Sequence, residues 1–256
     1  MPGWPWVSPP WRPPSQAEPM QGLIGSGLAE LGLSGQVPEG TAAHLAQFGQ
    51  LLLRKNEVMN LTAIIRPRDV ATLHMLDCAA LLNCAGFQYK TLIDVGTGAG
   101  FPGIPLKILV PTLYVTLLDT QGKRVDWLEE ACDALGLDGV APIQGRAEEA
   151  AHLPALRGQY DFATARAVAD LRILSELCLP FVKVGGYFLA MKGTDCDAEL
   201  EAARPAIHEL GGEVEQCVDY AIPHTVVSHR VVMVKKKAST PSQYPRKWVK
   251  IQKNPL

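Results

Sequence analysis

A glycine-rich segment at residues 94–100 has the residue types of a cofactor-binding loop. It reads D-x-G-x-G-x-G, from Asp94 to Gly100, and it follows an apolar run that begins at Leu92. Glycine lets the backbone turn sharply and approach a ligand with no Cβ atom in the way, and free N–H groups at the start of a helix favour an anionic group. The segment therefore predicts a strand, a tight loop and a helix that together bind a cofactor.

A second acidic residue, Asp119, helps to distinguish between possible cofactors. Asp119 ends the next β-prone run, where a carboxylate can accept hydrogen bonds from both hydroxyls of a ribose. Dinucleotide-binding loops use G-x-G-x-x-G, and Phe101 occupies the third glycine position of that pattern here. The combination favours S-adenosylmethionine over a nicotinamide dinucleotide, with a loop that binds no cofactor as the third alternative.

Three polar residues stand at positions where burial would be costly. Arg166 ends an apolar strand-like run, where a guanidinium needs a carboxylate or a phosphate as its partner. It either faces a reaction centre or forms an internal salt bridge with a nearby acid. His74 and Asp77 are spaced i, i+3 on a predicted helix and can share a hydrogen bond, so we interpret them as structural.

The elements that carry these residues alternate between strand and helix. Short β-prone runs occupy residues 91–95, 115–119, 141–144, 161–165 and 187–191, with helix-length segments such as 123–135 and 171–182 between some of them. This alternation predicts right-handed βαβ units and a parallel sheet, hence an α/β fold. Two further strand-like runs, 214–220 and 230–235, have no helix between them and predict an antiparallel hairpin at the end of the sheet.

Helical periodicity upstream of the sheet predicts a small cap at residues 21–85. Thr41 is expected to cap a helix that runs to about Val58, and Asp69 to cap another that ends at Leu82. Residues 1–20 contain seven prolines and three tryptophans, so we expect a disordered tail there. The sheet domain is expected at 86–237 and a basic tail at 238–256.

The overall composition excludes several classes of protein. The chain has 256 residues, 47% of them hydrophobic and 20% charged, which is ordinary for a globular protein with a full core. Its apolar runs are too short for a membrane span, and residues 1–20 lack the apolar centre of a secretory signal. Six cysteines show no C-x-x-C spacing, so we expect reduced thiols and no metal site. A cytoplasmic location follows from these absences.

Charge is distributed unevenly along the chain. Residues 235–256 contain seven basic and no acidic residues, although the whole chain has a net charge of −2. Two interpretations remain open for this basic end. It is either a solvated, partly disordered terminus or an arm that contacts nucleic-acid phosphates.

Several separated motifs occur in an order that identifies a family. LIDVGTGAGFPGIPLKI (92–108), TLLDTQGKRVDWL (116–128), GRAEEAA (145–151) and ATARAVADL (163–171), with NLTAI (60–64) and HMLDCAAL (74–81) upstream, closely resemble the RsmG family, also called glucose-inhibited division protein B. The resemblance covers roughly residues 40–237. It implies a class I methyltransferase (Rossmann-like) fold behind a helical N-terminal cap. It also implies S-adenosylmethionine-dependent methylation of guanine N7 in the 530 loop of 16S ribosomal RNA.

The resemblance also implies roles for individual residues. The cofactor site would contain the loop residues Asp94, Gly96, Gly98, Gly100 and Phe101, then Asp119 and Thr120 at the second strand end, and Ala147 and Glu148 beside the adenine. Arg166 would face the reaction centre. Phe101 could instead pack in the core, and Glu148 could instead be a surface acid at a helix start.

The implied chemistry asks little of the protein. Guanine N7 carries a lone pair and no proton, so it can attack a sulfonium methyl group without a general base, and positioning should supply most of the rate. The expected RNA contacts, each of which could also be a plain surface charge, are Lys123, Arg124, Lys192, Arg246 and Lys247. We expect a monomer. A non-catalytic RNA-binding assembly factor and a nicotinamide-dependent oxidoreductase are the alternative functions.

Overall fold

The computed structural model describes residues 17–166 and 169–256, with a seven-stranded sheet at its centre. The strands are β1 (Thr91–Val95), β2 (Tyr114–Asp119), β3 (Val140–Gln144), β4 (Tyr160–Arg166), β5 (Val182–Gly193), β6 (Gly212–Ala221) and β7 (Ser228–Lys236). Their order is β3-β2-β1-β4-β5-β7-β6, and β7 runs antiparallel to both β5 and β6 while the other neighbours are parallel. This confirms the predicted α/β fold with a terminal antiparallel hairpin.

Ten α-helices surround the sheet in the described part of the chain. They are α1 (Ala17–Glu30), α2 (Thr41–Asn56), α3 (Pro67–Asp69), α4 (Asp77–Ala79), α5 (Gly103–Leu109), α6 (Gly122–Leu135), α7 (Ala147–Ala150), α8 (Leu171–Cys178), α9 (Asp197–Glu209) and α10 (Trp248–Lys253). The helices up to α6, apart from the short α3, share one hydrophobic cluster with the sheet, and α7 to α10 share a second cluster on the other face. No described helix is long and apolar enough to cross a membrane.

The predicted cap contains an unusual helical segment. From α3 the chain continues through a π-helical stretch (Val70–Leu76), α4 and a 3-10 turn (Ala80–Asn83) without a break. We call residues 67–83 the π segment. Val70 and Met75 on its inner side are fully buried in the cluster that the cap shares with the sheet. A π-helical stretch changes the direction of the side chains that follow it, and such stretches are frequent at functional sites.

The structure corrects the predicted helix starts. Gly40, not Thr41, is the N-cap of α2, and the Thr41 hydroxyl donates backwards to the carbonyl oxygen of Pro38 (2.7 Å). Asp69 does not cap the second helix, because α3 already begins at Pro67 and has no side-chain cap. The proposed tail boundary at residue 20 falls inside α1, which begins at Ala17. The rest of the predicted tail lies outside the described residues.

Residues 238–256, which we call the C-terminal strap and which include α10, are folded onto the face formed by α7 to α9. Tyr244 and Ile251 are buried in the cluster on that face. The guanidinium of Arg157 donates to the carbonyl oxygens of Thr240 and Tyr244, at 2.9 and 2.8 Å. The interpretation of this end as a solvated, disordered terminus is therefore wrong, because apolar burial and hydrogen bonds hold it in place.

A buried ion pair adds to the attachment of the strap. Arg246 donates through Nε and Nη2 to the two carboxylate oxygens of Glu176, at 2.8 and 2.6 Å, and its backbone N–H donates to the same group at 2.7 Å. The Glu176 side chain has no exposed surface. The hydrogen bonds to Glu176 raise the pKa of the Arg246 guanidinium. Its charge is thus engaged inside the protein, whereas Lys247 is exposed.

Candidate active site

The glycine loop after β1 has the backbone conformation that its sequence predicts. Gly96, Gly98 and Gly100 have φ values of 70°, 60° and 108°, a region that side chains rarely adopt. The N–H groups of Gly96 and Thr97 donate to the carbonyl oxygen of Leu118, at 2.9 and 3.1 Å. These two bonds join the loop to the carboxyl end of β2 and leave the backbone of residues 96–98 facing a cavity.

Asp94 stabilises this loop through buried hydrogen bonds. Its carboxylate is completely buried and accepts hydrogen bonds from the Gly103 N–H (2.9 Å) and from the hydroxyls of Thr97 (2.7 Å) and Thr164 (3.3 Å). Burial raises the pKa of Asp94 to about 6, although these bonds act in the opposite direction. Asp94 is absent from the cavity wall. The structure therefore gives the Asp94 side chain a role in shaping the loop.

Asp119 lies at the end of β2, as predicted, beside the glycine loop. One carboxylate oxygen accepts from the Gly98 N–H (3.0 Å) and the other from the Gln121 N–H (2.9 Å). Arg124 pairs with it at 3.6 Å, and only 4% of the Asp119 side chain is exposed. The carboxylate thus stabilises the loop, and it pairs with Arg124, one of the predicted RNA contacts.

The remaining predicted cofactor residues lie along the same edge of the sheet. Thr120 is exposed, and Ala147 and Glu148 are buried at the start of α7. Glu148 pairs with the guanidinium of Arg146 at 3.5 Å. Lys123, at the start of α6, is exposed.

A cavity of about 580 Å³ lies between the glycine loop, the cap and the carboxyl ends of β4 and β5. Of the predicted site residues, its wall contains Gly96, Gly98, Phe101, Arg166 and Lys192, whereas Asp94, Gly100, Asp119, Thr120, Ala147 and Glu148 lie outside it. Ligands of open α/β sheets bind at this edge, and the volume is typical of a small-molecule site. A glycine backbone along one wall and a ribose-binding type of carboxylate next to it fit an adenosyl cofactor.

Arg166 lies between the cavity and the cap. It lies on the cavity wall, and it also forms the internal ion pair, with Asp77 of the cap at 3.3 Å. Its other contacts are the carbonyl oxygen of Leu73 (3.1 Å) and Nδ1 of His74 (2.9 Å). The guanidinium lies over the ring of Phe101, 4.9 Å from the ring centre. These contacts fix the guanidinium between the sheet and the π segment.

His74 and Asp77 do not share the hydrogen bond that their spacing predicted. His74 stacks on Phe101 at 4.3 Å, and its Nε2 pairs with the hydroxyl of Thr62 at 2.9 Å. Burial, followed by the charge of Arg166, lowers the pKa of His74 to about 3. The imidazole is therefore neutral near pH 7, which suits the acceptor role of Nδ1 toward Arg166.

Asp77 is the centre of a network that the sequence reasoning missed. Only 1% of its side chain is exposed, and besides Arg166 it accepts from the hydroxyl of Tyr220 (2.8 Å) and from Nδ1 of His229 (2.8 Å). Burial alone would raise the pKa of Asp77, but the hydrogen bond from His229 and the charge of Arg166 outweigh it and lower the pKa. We call Asp77, Arg166, Tyr220 and His229 the Asp77 network.

Lys192, the third cation considered for RNA binding, lies on the cavity wall at the end of β5. Its ammonium group donates to Glu199 of α9 at 2.7 Å and to the carbonyl oxygen of Ala169 at 3.2 Å. Within the described residues, no cluster of His, Cys, Asp and Glu could hold a metal ion. The site can therefore bind a nucleotide-like cofactor and bring a second molecule to it, and the charged groups on its wall are already paired within the protein.

Comparisons with known proteins show which proteins this chain is similar to. The family model described as rRNA small subunit methyltransferase G matches residues 41–227. The chain is similar to ribosomal RNA small subunit methyltransferase G of Alkaliphilus metalliredigens strain QYMF, with 43% identity over 91% of this chain and 98% of that protein. A protein of the same description from Thermoanaerobacter sp. strain X514 is 44% identical over 83% of this chain and 89% of that protein. Among solved structures, TrmN from Thermus thermophilus is similar, with 25% identity, a TM-score of 0.48 and coverage of 62% of this chain and 48% of that chain.

Proposed function

The chain belongs to the rRNA small subunit methyltransferase G family, and from that premise we propose that it methylates N7 of a guanine in the 530 loop of 16S ribosomal RNA. S-adenosylmethionine is the methyl donor. The protein acts in the cytoplasm as a monomer, on ribosomal RNA or on the small ribosomal subunit. The family match does not favour the nicotinamide-dependent alternative.

The hydrogen bonds of the polar groups on the cavity wall favour a nucleophile that has no proton to lose. The carboxylate on the cavity wall, Asp77, has its oxygens engaged by Arg166, Tyr220 and His229, and His74 is engaged through both ring nitrogens. Neither group is available as a general base, and the hydrogen bond to Asp77 favours the protonated form of His229, the third titratable group on the wall. Methylation of an exocyclic amine would need a base, whereas N7 of guanine attacks through a free lone pair.

The residues of this chain would bind and position the reactants. The backbone of Gly96–Gly98 would hold the adenosyl part of the cofactor, and Asp119 would fix that backbone through the Gly98 N–H. When bound, S-adenosylmethionine supplies a methyl group on a positively charged sulfur. Phe101 and His74 form an apolar floor, since they stack at 4.3 Å, and water is kept from that side of the cavity. In-line placement of the base then supplies the main catalytic effect.

The entry side of the cavity suits an RNA substrate. The exposed Lys123 near the same sheet edge can approach phosphates, which attract Lys and Arg side chains whatever the sequence. Lys192 on the wall is instead paired with Glu199 at 2.7 Å. Arg124 is only partly exposed and already paired with Asp119. In the C-terminal strap, the exposed Lys247 remains the better candidate, because Arg246 is paired with Glu176.

The test is transfer of radiolabelled methyl groups from S-adenosylmethionine to unmethylated small subunits, followed by digestion to nucleosides. Wild type should place the label in 7-methylguanosine. Asp119→Ala removes a charged acceptor of the Gly98 N–H and should lower cofactor affinity about 10- to 100-fold, since such a bond contributes about 1.5–3 kcal/mol. Asp133→Ala, which removes an exposed acid from α6, is the matched control and should behave as wild type.

Three results would contradict parts of the proposal. Label in a different nucleoside would show that the methylated atom is not guanine N7. Cofactor binding with no label in any nucleoside would support the non-catalytic assembly factor. Equal activity of the Asp119 and Asp133 variants would show that Asp119 is not part of the cofactor site.

A further inference from the structure

His229 lies on the cavity wall across from the glycine loop. It sits near the start of β7, paired with Gly193 of β5 on one side and with Tyr220 of β6 on the other. About one third of its side chain, 32%, is exposed. The position is on the side of the cavity away from the loop that holds the cofactor, and it is therefore open to the second reactant.

The hydrogen bond to Asp77 determines which ring nitrogen faces the cavity. His229 Nδ1 lies 2.8 Å from the Asp77 carboxylate, and because an ionised carboxylate can only accept, Nδ1 carries a proton. This leaves Nε2 as the free end of the ring. Within the described part of the chain, Nε2 of His229 has no hydrogen-bond partner, whereas Arg166 and Lys192 are both paired.

The charges around His229 favour its protonated form. The carboxylate of Asp77, in the π segment, contacts the His229 ring. The same carboxylate also accepts hydrogen bonds from Arg166 of β4 and from the hydroxyl of Tyr220 of β6. Lys192 of β5 lines the same cavity, and its ammonium group pairs with Glu199. The hydrogen bond to Asp77 raises the pKa of His229, against the effects of burial and of Arg166. In the protonated form, Nε2 is a donor aimed at the substrate side.

A donor at this place matches one feature of the target base. Guanine presents two acceptors on one edge, N7 and O6, whereas adenine presents N7 and an amino group, which is a donor. When N7 faces the methyl group, O6 is its neighbour. We propose that His229 donates a hydrogen bond from Nε2 to O6 of the target guanine and so selects guanine over adenine; this rests on the proposed function.

The test combines a change in the base with a change in the residue. Small subunits are reconstituted with either guanosine or the nucleoside of diaminopurine at the target position; diaminopurine carries an amino group in place of O6 and keeps N7. Wild type should prefer guanosine by about 5- to 150-fold in kcat/KM, the range for one well-placed base contact. His229→Ala should lose about that factor on guanosine and treat the two bases nearly alike. His208→Ala, an exposed histidine of α9, should keep the wild-type preference.

A pH profile separates a donor from a structural role. Nε2 donates only below the pKa of His229, so wild-type kcat/KM on guanosine should fall as pH rises through that pKa. His229→Gln presents an amide donor that does not titrate, and it should keep the preference for guanosine with a flat profile over the same range. It also serves as the second variant if His229→Ala is unstable because Asp77 loses a partner.

The outcomes distinguish this inference from the proposed function. If wild type forms no 7-methylguanosine, the proposed function fails and the inference fails with it. If wild type forms it but His229→Ala retains the preference for guanosine, or wild-type activity rises with pH through the pKa of His229, only the role of His229 is overturned. Binding of S-adenosylhomocysteine should be unchanged in both His229 variants, because the residue lies away from the glycine loop.

Discussion

Arg246→Ala should destabilise the protein by removing the partner of a carboxylate that has no exposed surface. Glu176 accepts two bonds from the guanidinium, at 2.8 and 2.6 Å, and one from the backbone N–H of residue 246, at 2.7 Å. Alanine keeps only the last of these. Loss of one partner of a buried ion pair costs about 3–5 kcal/mol, and the retained backbone bond places the expected loss near the lower end, about 3 kcal/mol.

That loss predicts a clear change in thermal unfolding. For a protein of this size each kcal/mol shifts Tm by about 2–4 °C, so Arg246→Ala should lower Tm by about 6–12 °C. If the C-terminal strap detaches locally, the Tm change is smaller and the strap becomes sensitive to trypsin near the exposed Lys237. Circular dichroism and limited proteolysis together therefore detect either form of the loss.

Lys247→Ala is the matched control, because it removes the same charge from the next residue, which is exposed. It should leave Tm within about 1 °C, as expected for a surface substitution. Glu176→Leu in the Arg246→Ala background removes the uncompensated charge and should recover most of the lost Tm. Unchanged Tm and unchanged trypsin resistance in Arg246→Ala, together with weaker binding to small subunits, would refute the reasoning and restore Arg246 as an RNA contact.

Three further predictions concern the cofactor loop and the site. Gly98 and Gly136 have similar positive φ values, 60° and 62°, so replacing either with alanine should reduce stability by a similar amount in urea titrations. Only Gly98→Ala should weaken S-adenosylmethionine binding in calorimetry. Gly103→Ala would place a Cβ atom 2.3 Å from a Leu117 methyl carbon and should cost about 1–3 kcal/mol through overpacking; an unchanged urea midpoint would contradict this. Because the pKa of His74 is lowered to about 3, the folded protein binds fewer protons there than the unfolded chain, so stability should fall as pH drops from 6.5 toward 3. His74→Gln should reduce the slope of the unfolding free energy against pH by up to about 1.4 kcal/mol per pH unit relative to wild type. Identical slopes in the two proteins would exclude this contribution of His74.

Much of the fold could be predicted from the sequence because its signals are local. The strand-like runs at 91–95 and 115–119 coincide with β1 and β2 to within one residue. The loop from Asp94 to Gly100 was recognisable because only glycine readily adopts φ values such as 108° at Gly100. The same order of motifs was enough to indicate the family that the family model then matched over residues 41–227.

Other features needed the tertiary structure. Asp94 and Asp119 both looked like cofactor ligands, and only the folded chain shows that Asp94 faces inward to Gly103 and Thr164. The helix expected to run from residue 69 to 82 contains a π-helical stretch, Val70–Leu76. Neither spacing nor propensity predicts it, because packing against the sheet decides the local hydrogen-bond register.

The sequence by itself determined the α/β architecture, the glycine loop and the strand end that carries Asp119, since periodicity and backbone conformation depend on neighbouring residues. The tertiary structure decided which partner each buried charge would have. Arg166 meets Asp77 across 89 positions of the chain, and His229 meets the same carboxylate across 152. A buried ion is stable only with a partner in the correct geometry, and that geometry exists only after the sheet, the cap and the hairpin have packed together.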